Sequence, residues 1–198
     1  MLYPIPPRNS AGKDDTAYWE GFFSEEELNT ILSLSEWHQP QEAIVGALKS
    51  EVVDKNIRRS QVSWLYVTPE TEWIWSRVAK TIAEVNRTFF RLDLTGCYEP
   101  MQLSMYKHSN EGFYDWHVDA SPYSKHVPRK LSMSLLLSDP SEFEGGDLQA
   151  QLSNETKTLE NKKGRAWFFP SYVLHRVTPV TKGIRRSLVL WVGGPEFK

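Results

Sequence analysis

The second half of the chain alternates between apolar and polar residues over short stretches. In residues 101–106, Met and Leu alternate with Gln, Ser and Tyr, and in 131–138, Leu and Met alternate with Ser. Successive side chains of a β-strand point to opposite faces, so each stretch has one apolar and one polar face. Apolar runs at 166–169 and 186–192 follow, and turn signals such as Gly145-Gly146 separate them. Short strands separated by turns predict a sandwich or jelly roll.

The first half has the periodicity of helices. Ser24, with Glu27 three residues later, fits a capping box and predicts a helix that ends before Pro40. A second helix is predicted over about residues 70–91, with Thr68 as its N-cap and Pro69 in its first turn. Its apolar positions repeat at helical spacing: Ile74, Val78, Ile82, Val85 and Phe89.

Between the two helices, residues 61–67 are rich in β-formers and predict a strand. Arg58 and Arg59 precede it, and we expect both at a solvated loop edge. Residues 1 to about 17 are Pro-rich and then polar, which predicts an extended arm. Residues 41–66 and 107–130 are polar and irregular beside the core strands, and they are the candidate lids.

The length of 198 residues predicts a single domain, 1–198. Residues 1–98 would supply the arm, helices and supporting strands, and 99–195 the jelly-roll core. The fold class is therefore mainly β with supporting α-helices. The formal net charge of −2 gives no reason to expect a nucleic acid or an acidic membrane as partner.

Cellular location is predicted from the cysteine content and the apolar runs. Cys97 is alone, so it can form no intramolecular disulfide, which favours a reducing compartment. We expect its side chain to be packed. The N-terminus lacks a basic start followed by an apolar run, and no apolar run approaches membrane-spanning length. These features predict a cytoplasmic protein.

The candidate chemistry lies in a His-x-Asp motif, His117 and Asp119, with His175 far downstream. Residues two apart on a strand point to the same face, so His117 and Asp119 can offer a nitrogen and an oxygen to one ion. A third ligand from His175 would complete a two-histidine, one-carboxylate face, which suits Fe(II) with open positions for further ligands. His-x-Asp alone is a weak signal, so the surrounding residues decide.

The last strand adds a positive charge to this picture. Alternation places Arg185, Ser187, Val189 and Trp191 on one face. If that face lines a barrel, Arg185 is an inward charge that needs an anionic partner, because an unpaired buried charge is unfavourable. The partner is either a protein carboxylate or a dicarboxylate whose other end binds the metal.

Five segments together resemble the Fe(II)/2-oxoglutarate-dependent dioxygenase superfamily, in its prolyl 4-hydroxylase-like branch with bacterial and phage-like members. The resemblance covers roughly residues 99–195 and implies a double-stranded β-helix. The segments are Glu99-Pro100-x-Gln102-x-x-x-Tyr106, Tyr114-x-x-His117-x-Asp119, Arg129-Lys130-Leu131-Ser132 with Glu144-Gly145-Gly146-Asp147, Phe169-Pro170-x-x-x-x-His175-x-Val177-x-Pro179-Val180, and Gly183-x-Arg185-x-Ser187-x-x-x-Trp191.

The resemblance also implies a role for each position. His117, Asp119 and His175 would bind Fe(II), and Arg185 would pair with the distal carboxylate of 2-oxoglutarate. Tyr106 would donate a hydrogen bond to that carboxylate, and Ser187 is a second candidate donor. The substrate side would comprise Tyr114, Arg129, Trp191 and Glu99. No catalytic residue beyond the metal ligands is implied.

The implied activity couples oxidative decarboxylation of 2-oxoglutarate to succinate with hydroxylation of a substrate C–H bond. It uses O2 and ascorbate as reductant, and the favoured substrate is a prolyl residue in a peptide or protein. Arginine at 185, where many collagen-type enzymes carry lysine, and the longer segment from Tyr106 to His117 leave the substrate open.

Four alternatives remain at this stage. A hydroxylase of a free amino acid or another small molecule is the first. A nucleic-acid demethylase on the same scaffold fits poorly with the slightly negative charge. A non-catalytic β-barrel binding module has no chemical need for the three metal-ligand candidates and Arg185 together. A zinc hydrolase would use the ligands but leave Arg185 and Tyr106 without a role.

Overall fold

The structure is a computed structural model, and it describes residues 15–44, 54–120 and 127–195. The two α-helices are α1 (Glu25–Leu32) and α2 (Glu72–Val85), and a π-helical turn, Asn86–Phe90, extends α2. The strands of the described residues are β1 (Ala17–Trp19), β2 (Gln41–Glu42), β3 (Arg58–Arg59), β4 (Gln61–Leu65), β5 (Met101–Lys107), β6 (Phe113–His117), β7 (Arg129–Leu136), β8 (Phe143–Gly145), β9 (Leu148–Leu152), β10 (Glu155–Leu159), β11 (Ala166–Pro170), β12 (His175–Val177) and β13 (Val180–Gly193).

The strands form two antiparallel sheets. The larger sheet has the order β1-β11-β7-β13-β5-β4-β2, and β8 pairs with one end of β13. The smaller sheet has the order β10-β9-β12-β6-β3. The predicted jelly-roll core is confirmed by this topology and by the solved structures described below. The first ninety-eight residues contribute β1, β2 and β4 to the larger sheet and β3 to the smaller one.

The two faces of the larger sheet have different environments. Leu103, Leu135 and Leu188 lie on its outer face and pack in one core with residues of α2 such as Ile74 and Val78. Each fully buried side chain of this kind contributes roughly 1.5–3 kcal/mol to the free energy of unfolding. The polar residues that alternate with them therefore face the space between the sheets, which is where the candidate chemistry lies.

The first helix begins as the sequence predicts. The Ser24 hydroxyl accepts a hydrogen bond from the Glu27 N–H at 3.2 Å, and the Glu27 carboxylate accepts one from the Ser24 N–H at 2.8 Å. Arg77 of α2 then binds the same carboxylate at 3.0 Å and ties the two helices together.

The second helix begins three residues later than predicted, and Thr71, not Thr68, is its N-cap. The Thr71 hydroxyl donates to the carbonyl of Tyr66 at 2.6 Å and accepts from the Thr68 N–H at 2.9 Å. These bonds close a turn around Pro69 before the helix starts. The Thr-Pro pair that resembled a helix start is therefore part of the preceding turn.

Two further features of the chain are settled by the fold. Cys97 is exposed, so the expectation that it is packed was wrong. No helix within residues 15–44, 54–120 and 127–195 is long and apolar enough to cross a membrane.

Candidate metal centre

The register of two short strands brings the two histidines together. His117 is the last residue of β6 and His175 is the first of β12, and the two are direct partners in the antiparallel pair. Opposite residues in such a pair have Cβ atoms about 4.5–5.5 Å apart. The imidazole ring centroids are 4.1 Å apart. A separation of more than fifty residues in the sequence is thus closed by one strand pairing.

Each imidazole is oriented by a backbone carbonyl. The Nδ1 of His117 lies 2.7 Å from the carbonyl of Asp115, and the Nδ1 of His175 lies 2.9 Å from that of Val173. A carbonyl can only accept, so each Nδ1 carries a hydrogen, and in a neutral ring this leaves the lone pair on Nε2. Both rings are therefore held in the tautomer that a metal ion requires.

Asp119 completes the cluster. Its Oδ1 lies 3.9 Å from the Nε2 of His117, and its Oδ2 lies 3.5 Å from the Nε2 of His175. One ligand atom from each of the three residues lies within 4.8 Å of the others. The set matches the two-histidine, one-carboxylate face predicted from the sequence.

The electrostatics of the cluster also favour a metal ion. Burial, reinforced by His175, lowers the pKa of His117 from 6.5 to about 3, so the ring is neutral at physiological pH. Burial alone would raise the pKa of Asp119, but the groups around it, among them His175, Arg129 and the Ser132 hydroxyl, hold the pKa below its usual value. An ionised carboxylate beside a neutral imidazole is the protonation state that ligates metals.

Arg185 lies on the inward face of β13, directly opposite Tyr106 of β5, and is 2% exposed. Its Nη1 donates to the Ser187 hydroxyl at 3.1 Å, and its Nε has no hydrogen-bond partner in the described structure. No ion pair among the described residues includes it. Burial lowers the pKa of Arg185, and Tyr106 and Asp147 offset this only in part. The guanidinium therefore lacks the anion that its burial requires.

One cavity of about 870 Å³ between the sheets contains all of these groups. Every site residue predicted from the sequence lines it: Glu99, Tyr106, Tyr114, His117, Asp119, Arg129, His175, Arg185, Ser187 and Trp191. Several residues of the first candidate lid, 41–66, line it too, among them Gln41, Glu42 and Ile57. Residues 45–53 of that lid and 121–126 of the second lie outside the described residues.

The four predicted substrate residues form contacts with the metal ligands and with one another. The Tyr114 ring stacks on the His117 ring, with centroids 3.5 Å apart. Arg129 binds Glu99 through both carboxylate oxygens, at 2.6 Å for Nε, and its guanidinium carbon lies 3.8 Å from the centroid of the Trp191 ring. Burial alone would lower the pKa of Arg129, but Glu99 raises it. The charge of Arg129 is thus already balanced.

Arg58 is not at a solvated loop edge, so that prediction was wrong. It is 6% exposed, lines the cavity, and lies with its guanidinium carbon 4.4 Å from the centroid of the Tyr114 ring. Its Nε donates to the Ser60 hydroxyl at 2.7 Å. The neighbouring Arg59 points elsewhere, over Phe113 and towards Glu111. Alternation along β3 separates the two arginines, but a strand of two residues is too short to be predicted from the sequence.

Comparison with known proteins agrees with this geometry. The model of the 2OG-Fe(II) oxygenase superfamily matches residues 101–193, which contain all three members of the cluster and Arg185. The matched segment is slightly less than half of the chain. The chain is 44% identical over 79 residues to a PKHD-type hydroxylase of Synechococcus sp. (strain CC9902). It is 30% identical over 131 residues to one of Teredinibacter turnerae.

Those matches are partial in length. They cover 40% and 63% of this chain, and the chain spans 35% and 57% of the two relatives' own lengths. Solved structures agree over more of the fold, at 18% identity. A prolyl-4-hydroxylase of Pseudomonas putida has a TM-score of 0.69 over 92% of this chain and 94% of that one. A prolyl hydroxylase of Trichoplax adhaerens has a TM-score of 0.74 over 94% and 86%. Both structures share the fold of this chain.

The residues of the cavity fit Fe(II) and 2-oxoglutarate. The cluster supplies two imidazole nitrogens and one carboxylate, a donor set that leaves metal positions open. Arg185, buried in the same cavity, provides the planar fork that matches a carboxylate. A zinc hydrolase would explain the metal-ligand set but not the buried Arg185.

Proposed function

We propose that the chain is an Fe(II)- and 2-oxoglutarate-dependent hydroxylase that acts on a prolyl residue in a peptide or protein. The unpaired, buried Arg185 in the same cavity as His117, Asp119 and His175 is the observation that carries the proposal. A dicarboxylate could bind the metal at one end and Arg185 at the other. It would then occupy open metal positions and also supply the anion that Arg185 lacks. O2 and ascorbate are the other reactants of the proposal, and the lone cysteine is the basis for a cytoplasmic location.

When bound, iron and 2-oxoglutarate would supply the oxidising chemistry that turns a substrate C–H bond into an alcohol and releases succinate. The chain itself would bind and orient the reactants and exclude water from the cavity. Arg185 would hold the distal carboxylate, with Tyr106 and Ser187 as neighbouring donors. Apolar residues of the smaller core, such as Leu148, Phe169 and Val177, line the same cavity and would keep it dry.

The substrate assignment rests on the cavity wall and on the relatives. Tyr114 and Trp191 supply flat aromatic surfaces, with Arg129 and Glu99 behind Trp191. The curated relatives are called PKHD-type hydroxylases, and both solved neighbours are prolyl hydroxylases, one of them in complex with a peptide fragment of hypoxia inducible factor. A proline-containing peptide or protein is therefore the proposed substrate class.

Succinate formation from 2-oxoglutarate, with Fe(II) and ascorbate, tests the proposal. We expect a panel of proline-containing peptides to stimulate turnover and to gain one oxygen atom in mass. Turnover that no peptide stimulates would support the oxygenase assignment and contradict the assignment of a peptide substrate. Absence of both turnover and 2-oxoglutarate binding to the metal-loaded protein would support a non-catalytic binding module.

Gly146 leaves room for the stem of Arg185. It has a φ of +63°, and a Cβ there would lie 2.9 Å from Cγ2 of Val180 and 3.0 Å from Cδ of Arg185. We expect Gly146→Ala to destabilise the fold by about 1–2 kcal/mol through its left-handed backbone. By displacing the guanidinium, it should also raise the KM for 2-oxoglutarate.

Gly21→Ala is the matched control for this prediction. Gly21 has a φ of +71° with no atom within 4 Å of an added Cβ. Thermal unfolding should show a loss in both variants, larger in Gly146→Ala because its added Cβ also meets the buried Val180, while the KM for 2-oxoglutarate rises only in Gly146→Ala. An equal KM in the two variants would contradict the role given to Gly146.

Arg58 favours the second candidate, a hydroxylase of a free amino acid. None of the ion pairs among the described residues includes it, and it lies over the ring that stacks on a metal-ligand candidate. A free α-carboxylate would match this guanidinium, whereas a peptide bond offers it only a carbonyl oxygen. Free proline and a capped prolyl peptide, compared as substrates, distinguish the two candidates.

Replacing Arg58 should weaken binding of either substrate. We expect Arg58→Gln to raise the substrate KM by about tenfold or more, since hydrogen bonds to charged groups contribute roughly 1.5–3 kcal/mol. The KM for 2-oxoglutarate should stay unchanged. Arg59→Gln is the control, because Arg59 is the next residue but binds Glu111 outside the cavity. Similar kinetics for the two variants would remove Arg58 from the substrate site.

A further inference from the structure

Two buried serines hold Asp119, and neither belongs to the metal ligand set. Ser132 of β7 is 1% exposed, and Ser171, just after β11, is fully buried. The Ser132 hydroxyl lies 2.7 Å from Oδ2 of Asp119 and 3.0 Å from the Ser171 hydroxyl. Burying two hydroxyl groups is unfavourable unless they are hydrogen-bonded, so their position against one carboxylate calls for an explanation.

The direction of these hydrogen bonds follows from the number of hydrogens. The ionised Asp119 can only accept, so Ser132 donates its single hydrogen to Oδ2. Ser171 must then donate to the oxygen of Ser132. The result is a chain of two hydroxyls directed at one carboxylate oxygen, in which each bond polarises the next. Oδ1 accepts no hydrogen bond from a described residue.

Ser171 also holds the backbone beside Asp119. Its carbonyl accepts from the N–H of Asp119 at 2.9 Å and from that of Ala120 at 2.8 Å. Its own N–H donates to the carbonyl of Lys130 at 3.0 Å. Asp119 lies beyond the end of β6 and is not itself in a strand. Ser171 therefore supplies the support that strand pairing gives to the two histidines.

We propose that Ser132 and Ser171 are positioning residues of the metal centre, which occupy Oδ2 of Asp119 so that Oδ1 is the oxygen offered to the ion. A carboxylate held in this way would offer Oδ1 to the ion, while Oδ2 would remain engaged by the Ser132 hydroxyl. That restriction keeps open the positions which the proposed function assigns to 2-oxoglutarate and O2. The inference rests on the proposed function for the identity of those ligands, but not for metal binding itself.

Metal affinity tests the inference without turnover. Anaerobic titration of the apo protein with Mn(II), followed by the EPR signal of free Mn(II), gives the Kd with neither 2-oxoglutarate nor O2 present. We expect Ser132→Ala to weaken Mn(II) binding by about 10–100-fold, the usual result of losing a partner of a metal ligand. Ser132→Thr, which keeps the hydroxyl, should restore the affinity of the unaltered chain.

Ser134→Ala is the matched control. Ser134 lies two residues along the same face of β7 and lines the cavity, but it has no hydrogen bond to a metal-ligand candidate. It should bind Mn(II) as the unaltered chain does. With Co(II) at saturation, the visible absorption spectrum should change in Ser132→Ala and stay the same in Ser134→Ala, because only a changed coordination alters it.

Three outcomes would overturn the inference: Mn(II) affinity of Ser132→Ala within about twofold of the unaltered chain, an unchanged Co(II) spectrum, or an equal loss in Ser134→Ala. If Ser132→Ala does not fold, Ser171→Ala decides, because it leaves the Ser132 bond to the carboxylate in place. A lower Mn(II) affinity in that folded variant supports the inference, and an unchanged affinity overturns it. Failure of the proposed function would instead show as normal Mn(II) binding without succinate from any substrate.

Discussion

Arg185→Met is expected to raise the KM for 2-oxoglutarate by about two to three orders of magnitude. Removing one partner of a buried ion pair costs roughly 3–5 kcal/mol, and about 1.4 kcal/mol is a factor of ten. The same substitution should stabilise the protein when no ligand is present, because it removes a buried guanidinium whose Nε has no partner. Lower co-substrate affinity with a higher Tm is a combination that a damaged fold cannot produce.

The measurement is thermal unfolding with and without 2-oxoglutarate, at saturating Mn(II) and without O2. The unaltered chain should gain Tm with 2-oxoglutarate, since a ligand that binds only the folded state stabilises it. Without 2-oxoglutarate, Arg185→Met should have a higher Tm than the unaltered chain, and adding 2-oxoglutarate should raise that Tm only a little. Arg185→Lys keeps the charge but loses the planar fork, so its gain should fall between the two. An equal gain in all three proteins would remove Arg185 from the co-substrate site.

Asp119→Ala is expected to abolish specific metal binding and, with it, succinate formation. The substitution removes the carboxylate of the cluster and leaves the two imidazoles. The loss should exceed the roughly 10–100-fold that follows removal of a ligand's hydrogen-bond partner. Anaerobic titration with Mn(II) measures it directly, and succinate release measures the consequence.

Asp115→Ala is the control for Asp119→Ala. Asp115 is an exposed carboxylate four residues earlier, on the strand that carries His117. Its backbone carbonyl, which orients His117, is retained in the variant. Normal Mn(II) binding by Asp115→Ala would show that the loss of binding in Asp119→Ala is not caused by the change in net charge. Residual tight binding by Asp119→Ala would mean that the ion binds elsewhere.

Much of the fold and of the cavity could be predicted because β-sheets have a period of two. Alternation alone placed Arg185, Ser187 and Trp191 on one face, and all three line the cavity. The capping box at Ser24 was equally predictable, since its two hydrogen bonds connect residues only three apart. His175 could be named as a candidate third ligand, but its pairing with His117 could not be predicted, because strand register depends on partners that are distant in sequence.

The errors have a common physical origin. Thr68 looked like a helix cap because the competing bond, from Thr71 to Tyr66, depends on the path of the chain before the helix. Arg58 looked solvated because a two-residue strand, β3, carries too little alternation to show its inward face. In both cases local composition was ambiguous and a tertiary contact decided the outcome.

The opposite faces of β13 have a consequence for how the cavity can change over evolution. Leu188 and Leu190 point outward into the core against the helices, and substituting such residues by alanine usually costs about 2–5 kcal/mol. Val189, between them, points into the cavity and touches the space where a substrate would lie. Mutations that alter substrate range can therefore accumulate at alternate positions while the intervening ones preserve stability. Libraries for directed evolution should vary the inward positions and hold their outward neighbours fixed.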